Sequence, residues 1–345
     1  MLLPDLPRRS LTNPTELFAL RDGIYADDLF IAALAWLDFF SWLADNPSDE
    51  EQIATALKLA ERPLDVMLTL FSAMGLIIKE GGAYRVTRLS KEHLVKGSPW
   101  FMGPYFASLR ERRSCKEMLY VLKVGKSANW GSQADGADWH ESMTDPEFAA
   151  NFTAAMDSRG ASLAPALAEV LPVVGDETLL DIAGGSGIYA CCIAAMHLEL
   201  TAAVLEKPPV DRIARQAIAR RNLIDRVNVH SGDMIAGMLP SGFDIHLYSH
   251  VLHDWDEPNV RLLLAKSFLK LNPGGMVAIY DMHINGEKTG PLAVAQYSAL
   301  IMHSTRGKCY SLGELETILT DVGFIRFEYI PVKANRSLII AYKPE

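Results

Sequence analysis

The spacing of apolar residues divides the chain into two textures. Over residues 12–110 they recur at helical spacing. TELFALRDGIYADDLFIAALAWLDFFSWLA predicts one long apolar helix, and DEEQIATALKLA predicts a second with Ile53, Ala54 and Leu57 on one face. Pro63 opens a third, PLDVMLTLFSAMGLI, which Gly75 closes. IIKEGGAYRVT then predicts two short strands around Gly81-Gly82. Helices followed by a hairpin form a winged-helix pattern.

From residue 175 onward, short apolar runs alternate with helical stretches, the mark of a doubly wound α/β domain. The predicted strands are TLLDIAG (178–184), LTAAVLEK, RVNVHSGDM, FDIHLYSHVL and MVAIYDMHI, the last entered through Pro273-Gly274-Gly275. Helices are expected near 187–196, 210–222, 257–271, 291–303 and 311–322. FIRFEYIP and RSLIIAYKP close the chain as an antiparallel hairpin around Ala334-Asn335. The expected division is 1–110, a winged-helix domain; 111–172, a helical linker that includes the polar segment KSANWGSQADGADW (126–139); and 173–345, the α/β domain.

Composition narrows the function classes. Hydrophobic residues are 49% of the 345 and charged residues 22%, enough apolar material to exclude global disorder. A net charge of −9 repels phosphate backbones, which argues against a nucleic-acid partner. The helix from Leu64 to Ile78 agrees, carrying Asp65 but no Lys or Arg where a groove reader needs cations. A winged-helix regulator is therefore a distant alternative. No apolar run nears the roughly 18 residues of a membrane span, and MLLPDLPRRS lacks a signal peptide's apolar stretch, so a cytoplasmic protein without a membrane partner is expected. Cys115, Cys191, Cys192 and Cys309 show no CxxC spacing and are expected as free thiols, with no metal. Trp36, Phe39, Phe40 and Trp42 make the first helix too apolar for a single buried face, which predicts a partner subunit, a homodimer through the N-terminal domain.

The candidate chemistry lies on strand ends. Asp181-Ile182-Ala183-Gly184-Gly185-Ser186-Gly187 joins a strand to a helix, and glycines there let a ligand approach backbone amides. A glycine-rich turn alone is a weak signal. Glu206 ends the next strand, where an acid can bind both ribose hydroxyls, and Asp233 follows the third, placed to accept from an adenine amino group. Three acids without a basic phosphate clamp suit a cationic nucleoside, S-adenosylmethionine, better than NAD, and GGxG is not the dinucleotide GxGxxG.

With DIAGGSG, LEKP, SGDM, LHDWDE and PGG in hand, nearly the whole chain resembles the S-adenosylmethionine-dependent O-methyltransferases of the plant caffeate and bacterial polyketide type. The resemblance implies a winged-helix dimerisation domain before a Rossmann-like methyltransferase domain, whose mostly parallel seven-stranded sheet ends in the antiparallel hairpin. It implies that Asp181, Gly184, Gly185 and Gly187 cradle the cofactor, that Glu206 holds the ribose, and that Asp233 and Met234 flank the adenine. Ser249, standing where plant relatives carry lysine, is implied as a further cofactor-binding residue. His253 is implied as the general base on a hydroxyl of a small aromatic or polyketide-like substrate, oriented by Asp281. The family's second acidic partner falls on Cys309, which leaves a C- or N-methyltransferase, or a relative using the cofactor without ordinary methylation, as the alternative. Met156, Met302 and His303 are implied as substrate wall. His250 and His283 sit at strand ends nearby, Trp255 is wall or core, and DWDE, with Asp254, is expected to cap the following helix.

Overall fold

The computed structural model describes residue 6, residues 8–128 and residues 139–345; most of the polar segment 126–139 lies outside them. The chain forms two compact units. One comprises Met1–Glu16, Asp138–His283 and Gly313–Glu345; the other comprises Leu17–Ala137 and Ile284–Leu312.

In the second unit, the expected long helix is three helices, Thr15–Asp22, Ala26–Ala35 and Phe39–Asp45. Gly23 follows the first, and Asp38 at φ 51° breaks the second from the third, since left-handed backbone cannot continue an α-helix. The break folds Phe39 and Phe40 inward, where both are fully buried and the Phe40 and Phe71 rings lie 5.3 Å apart. These two rings, read from sequence as seeking a partner, belong to the unit's own core. Among described residues, the large apolar side chains left in solvent include Leu17, Leu20, Trp100 and Tyr105.

The helix Glu61–Ala73 is buried at every residue from Pro63 to Phe71 and packs against Leu292–Ser304 of the returning segment. The Arg62 guanidinium donates to the carbonyls of Gly125 (3.0 Å), Met302 (3.2 Å) and Gly307 (2.7 Å). Asp65 receives the ammonium groups of Lys288 at 2.7 Å and Lys308 at 2.5 Å. A helix enclosed in this way cannot enter a DNA groove. The pattern does close on the expected hairpin: β1 (Ile77–Glu80) pairs antiparallel with β2 (Ala83–Val86) across Gly81 and Gly82, both at positive φ.

The other unit is built on seven strands: β3 (Thr178–Ile182), β4 (Thr201–Glu206), β5 (Val227–Ser231), β6 (Phe243–Ser249), β7 (Leu271–Asp281), β8 (Ile325–Pro331) and β9 (Ser337–Tyr342). Their order is β5-β4-β3-β6-β7-β9-β8. The first five run parallel, and β9 and β8 close the edge antiparallel, as the terminal hairpin predicts. The inner strands are almost wholly buried, as helices on both faces require, while the edge strand β8 faces solvent at alternate charged positions such as Arg326 and Glu328. Strand order reverses between β3 and β6, so the crevice beyond their carboxyl ends is where ligands bind in such sheets.

Candidate active site

The glycine loop leaves β3 and enters the helix Ile188–Met196. Gly185 and Gly187 take φ of 61° and 73°, a backbone that only glycine adopts freely. Gly184 is required by space instead, because a Cβ there would lie 2.4 Å from the Asp181 carboxyl carbon. Asp181 is fully buried. Its Oδ1 accepts from the Ser249 hydroxyl at 3.3 Å, while the buried Oδ2 makes no hydrogen bond. Burial pushes this carboxyl up to about 7, against the pull of the Ala190 amide and the Ser249 hydroxyl.

Glu206 ends β4 beside the loop. The Gly185 amide donates to its Oε1 at 2.9 Å, and the Lys207 amide to its Oε2 at 3.2 Å. Burial raises Glu206 to about 7 despite both amides. Asp233, past β5, is held lower: burial raises it, but the amides of Ala236 and Ile235 donate to its Oδ1 and prevail. The Lys266 ammonium binds the carbonyls of Met234 (2.9 Å) and Gly237 (2.8 Å), which fixes the turn that presents Asp233 and Met234.

A second group of side chains gathers where β6 and β7 end. The strand expected to run through residue 252 stops at Ser249; His250 turns left-handed at φ 58°, and Leu252–Asp254 form one 3₁₀ turn. That turn aims His253 at Asp281, the last residue of β7. His253 Nδ1 donates to Asp281 Oδ1 at 2.7 Å, so Nε2 is the nitrogen that can take a proton. The Met282 amide donates to the same oxygen at 2.8 Å. Burial raises Asp281, but His253 and His250 beside it bring the carboxyl well below its ordinary value. Burial lowers His253, and the carboxylates of Asp281 and then Asp254 outweigh it, leaving the imidazole above 6.5.

Asp254 thus has a part that the sequence reading gave to helix capping. The cap is Asp256, whose carboxylate accepts from the Asn259 amide, while Asp254 Oδ1 lies 3.6 Å from His253 Nε2. A second carboxylate therefore acts on the imidazole although Cys309 is not acidic. Cys309 lies in the other unit, buried, its amide donating to the Ser298 hydroxyl. His250, His253 and Asp281 bring three potential metal-ligand atoms within 4.8 Å of one another. Two of the three are already bonded to each other, and the positive charges of Arg159 and Arg336 act on His250, so the arrangement favours a proton-transfer dyad over a cation.

The remaining expected residues are placed as follows. Met156 is half-buried on the helix Pro146–Val170. His283 bonds the Ser337 hydroxyl at 2.7 Å and burial lowers it to about 4. Trp255 is half-buried. Met302 and His303 are fully buried in the other unit, where His303 Nε2 meets Glu117 at 3.0 Å and its ring stacks on Tyr25 at 4.0 Å.

Comparison with known proteins accords with this geometry. Residues 117–325 match the O-methyltransferase domain family. The chain is 29% identical over 311 residues to 3-hydroxy-5-methyl-1-naphthoate 3-O-methyltransferase of Streptomyces sahachiroi, covering 90% of this chain and 89% of that one. It is also 29% identical to L-tyrosine C(3)-methyltransferase of Streptomyces lavendulae, over 86% and 82% of the two chains. A solved O-methyltransferase family 2 protein from Planctomyces limnophilus, in complex with apigenin, superposes with a TM-score of 0.88 at 30% identity over 99% of this chain and 100% of that one. The chain belongs to the O-methyltransferase family. It is an S-adenosylmethionine-dependent methyltransferase.

The residues fit that cofactor. A buried Asp181 oxygen without a hydrogen bond, a carboxylate at each of three adjacent strand ends and a glycine loop that closes over Asp181 where Gly184 has no Cβ suit a cationic adenosyl group. No described helix is long and apolar enough to cross a membrane.

Proposed function

We propose that the enzyme methylates a hydroxyl of a small aromatic or polyketide-like metabolite. His253 is the general base, and Asp281 is the group that fixes its tautomer. The 2.7 Å bond from His253 Nδ1 to Asp281 Oδ1 carries the reading. When bound, S-adenosylmethionine supplies an electrophilic methyl on a sulfonium, so the chain's own work is binding, alignment and proton removal. A phenol ionises near pH 10 and is mostly neutral at pH 7. An imidazole at its hydroxyl removes the proton as the new bond forms, and the ionised Asp281 stabilises the imidazolium that results. In this reading Asp181, Gly184, Gly185, Gly187, Glu206, Asp233 and Met234 hold the cofactor. Ser249 acts by holding Asp181, and Met156 borders the acceptor.

Hydroxylated naphthoates, after the name of one relative, and apigenin, held in complex by another, test the proposal with S-adenosylmethionine as donor. The expected product is heavier by one methylene with an O-methyl resonance. A C-methyl signal on the ring would move the enzyme to the alternative, which the tyrosine C(3)-methyltransferase likeness keeps in view.

By role, residues 1–110 are the dimerisation part, 111–172 the linker bordering the acceptor and 173–345 the methyltransferase part. A homodimer is supported by Leu17, Leu20, Trp100 and Tyr105, each more than half exposed in one unit. Light scattering behind size exclusion should give twice the 38.1 kDa chain mass; a monomer at micromolar concentration would remove the dimer. Four buried cysteines outside any disulfide sit well with a cytoplasmic, reducing setting.

A further inference from the structure

We infer that Asp157, Ser186 and Arg221 form a clamp coupling the glycine loop to the helix Pro146–Val170, so that filling the cofactor site positions the acceptor side of the pocket. The inference rests on the reading of residues 184–187 as the cofactor loop and of Met156 as acceptor wall.

Ser186 lies between the two positive-φ glycines of the loop. Both of its polar oxygens are engaged by charged groups. Its hydroxyl donates to Asp157 Oδ1, and its carbonyl accepts from Arg221 Nη1 at 3.0 Å. Arg221 Nη2 bonds the same Asp157 oxygen, closing a ring of three side chains. The Arg221 side chain is only 3% exposed, and the residue's backbone amide caps the end of the helix Val210–Arg220. A buried guanidinium needs its carboxylate, so the ring resists opening. Asp157 immediately follows Met156 on the helix Pro146–Val170.

The same helix sits directly on the residue after the loop. A Cβ on Gly160 would fall 2.4 Å from Ile188 Cγ2, so the helix backbone packs on the Ile188 side chain without slack. A ligand that settles the loop must therefore settle Asp157, and with it the helix bearing Met156. Asp157 and Ser186 act through other groups, as positioning residues.

Hydrogen exchange with S-adenosylhomocysteine as the probe tests this. In the wild type, saturating ligand should slow exchange over residues 150–160 about fivefold or more, as well as over 184–187. Ser186→Thr, which keeps the hydroxyl, should do the same. Ser186→Ala at saturation should keep protection of the loop and lose most of the slowing on the helix. Asp157→Asn gives a second reading should Ser186→Ala fail to fold. Full helix protection in Ser186→Ala would overturn the clamp. So would exchange faster by one factor with and without ligand, the mark of a merely structural role, or a wild-type helix indifferent to ligand while the loop is protected. If S-adenosylhomocysteine left residues 184–187 unprotected, the assignment of the cofactor loop would fall first and the clamp with it.

Discussion

Replacing His253 by asparagine is expected to lower kcat by roughly 10²–10⁴-fold while leaving S-adenosylhomocysteine affinity within a factor of a few. In the proposed role, His253 acts only as the neutral imidazole. Burial pulls its pKa down, but Asp281 and Asp254 together hold it above 6.5. The sign follows: wild-type activity falls as pH drops through a midpoint above 6.5, because protonated His253 cannot accept. His253→Asn should lose that acid limb along with its rate. Asp281→Asn should move the limb to lower pH, since removing the carboxylate makes the imidazole easier to deprotonate. The measurement is single-turnover rate against pH, with calorimetry for the ligand. A variant that keeps both wild-type rate and acid limb would remove His253 from the chemistry.

Gly184→Ala is the second large effect. The new methyl group would lie 2.4 Å from both the Asp181 carboxyl carbon and Oδ2, and Asp181 is fully buried with Oδ1 held by Ser249. The carboxylate must leave its seat or the loop must lift. Overpacking of this kind costs about 1–3 kcal/mol of stability. Cofactor affinity should fall by about 100-fold or more, as two of the proposed cofactor residues move together, and His253 should keep its pKa. Denaturant unfolding and calorimetry separate the two consequences. Unchanged affinity would show that neither Gly184 nor Asp181 touches the cofactor.

Much of this site could be read along the chain because it is locally encoded. Strand ends are marked by apolar runs that stop, and Asp181, Glu206, Asp233 and Asp281 each fall at or beside such a stop. The pairing of His253 with Asp281 is implied by the family resemblance, and its physical basis is that β6 and β7 are adjacent parallel strands whose ends meet. What escaped has a physical reason in each case. The break at Asp38 depends on a left-handed backbone that apolar periodicity does not encode. The choice of Asp256 over Asp254 as the cap turns on where a 3₁₀ turn ends. The Asp157–Arg221 pair joins residues 64 positions apart, and nothing local to either marks the other. Burial of Phe39 and Phe40 likewise depends on the distant Phe71.

The excursion of residues 284–312 away from the sheet-bearing unit bears on how this enzyme can be recombined. Its helix Leu292–Ser304 is buried at ten positions, and its lysines find their carboxylate on Asp65. A chimera that grafts a foreign N-terminal half onto the native C-terminal half at one junction would strand that helix among unfamiliar neighbours. The N-terminal unit should therefore be exchanged as two separated blocks of gene, moved as a pair.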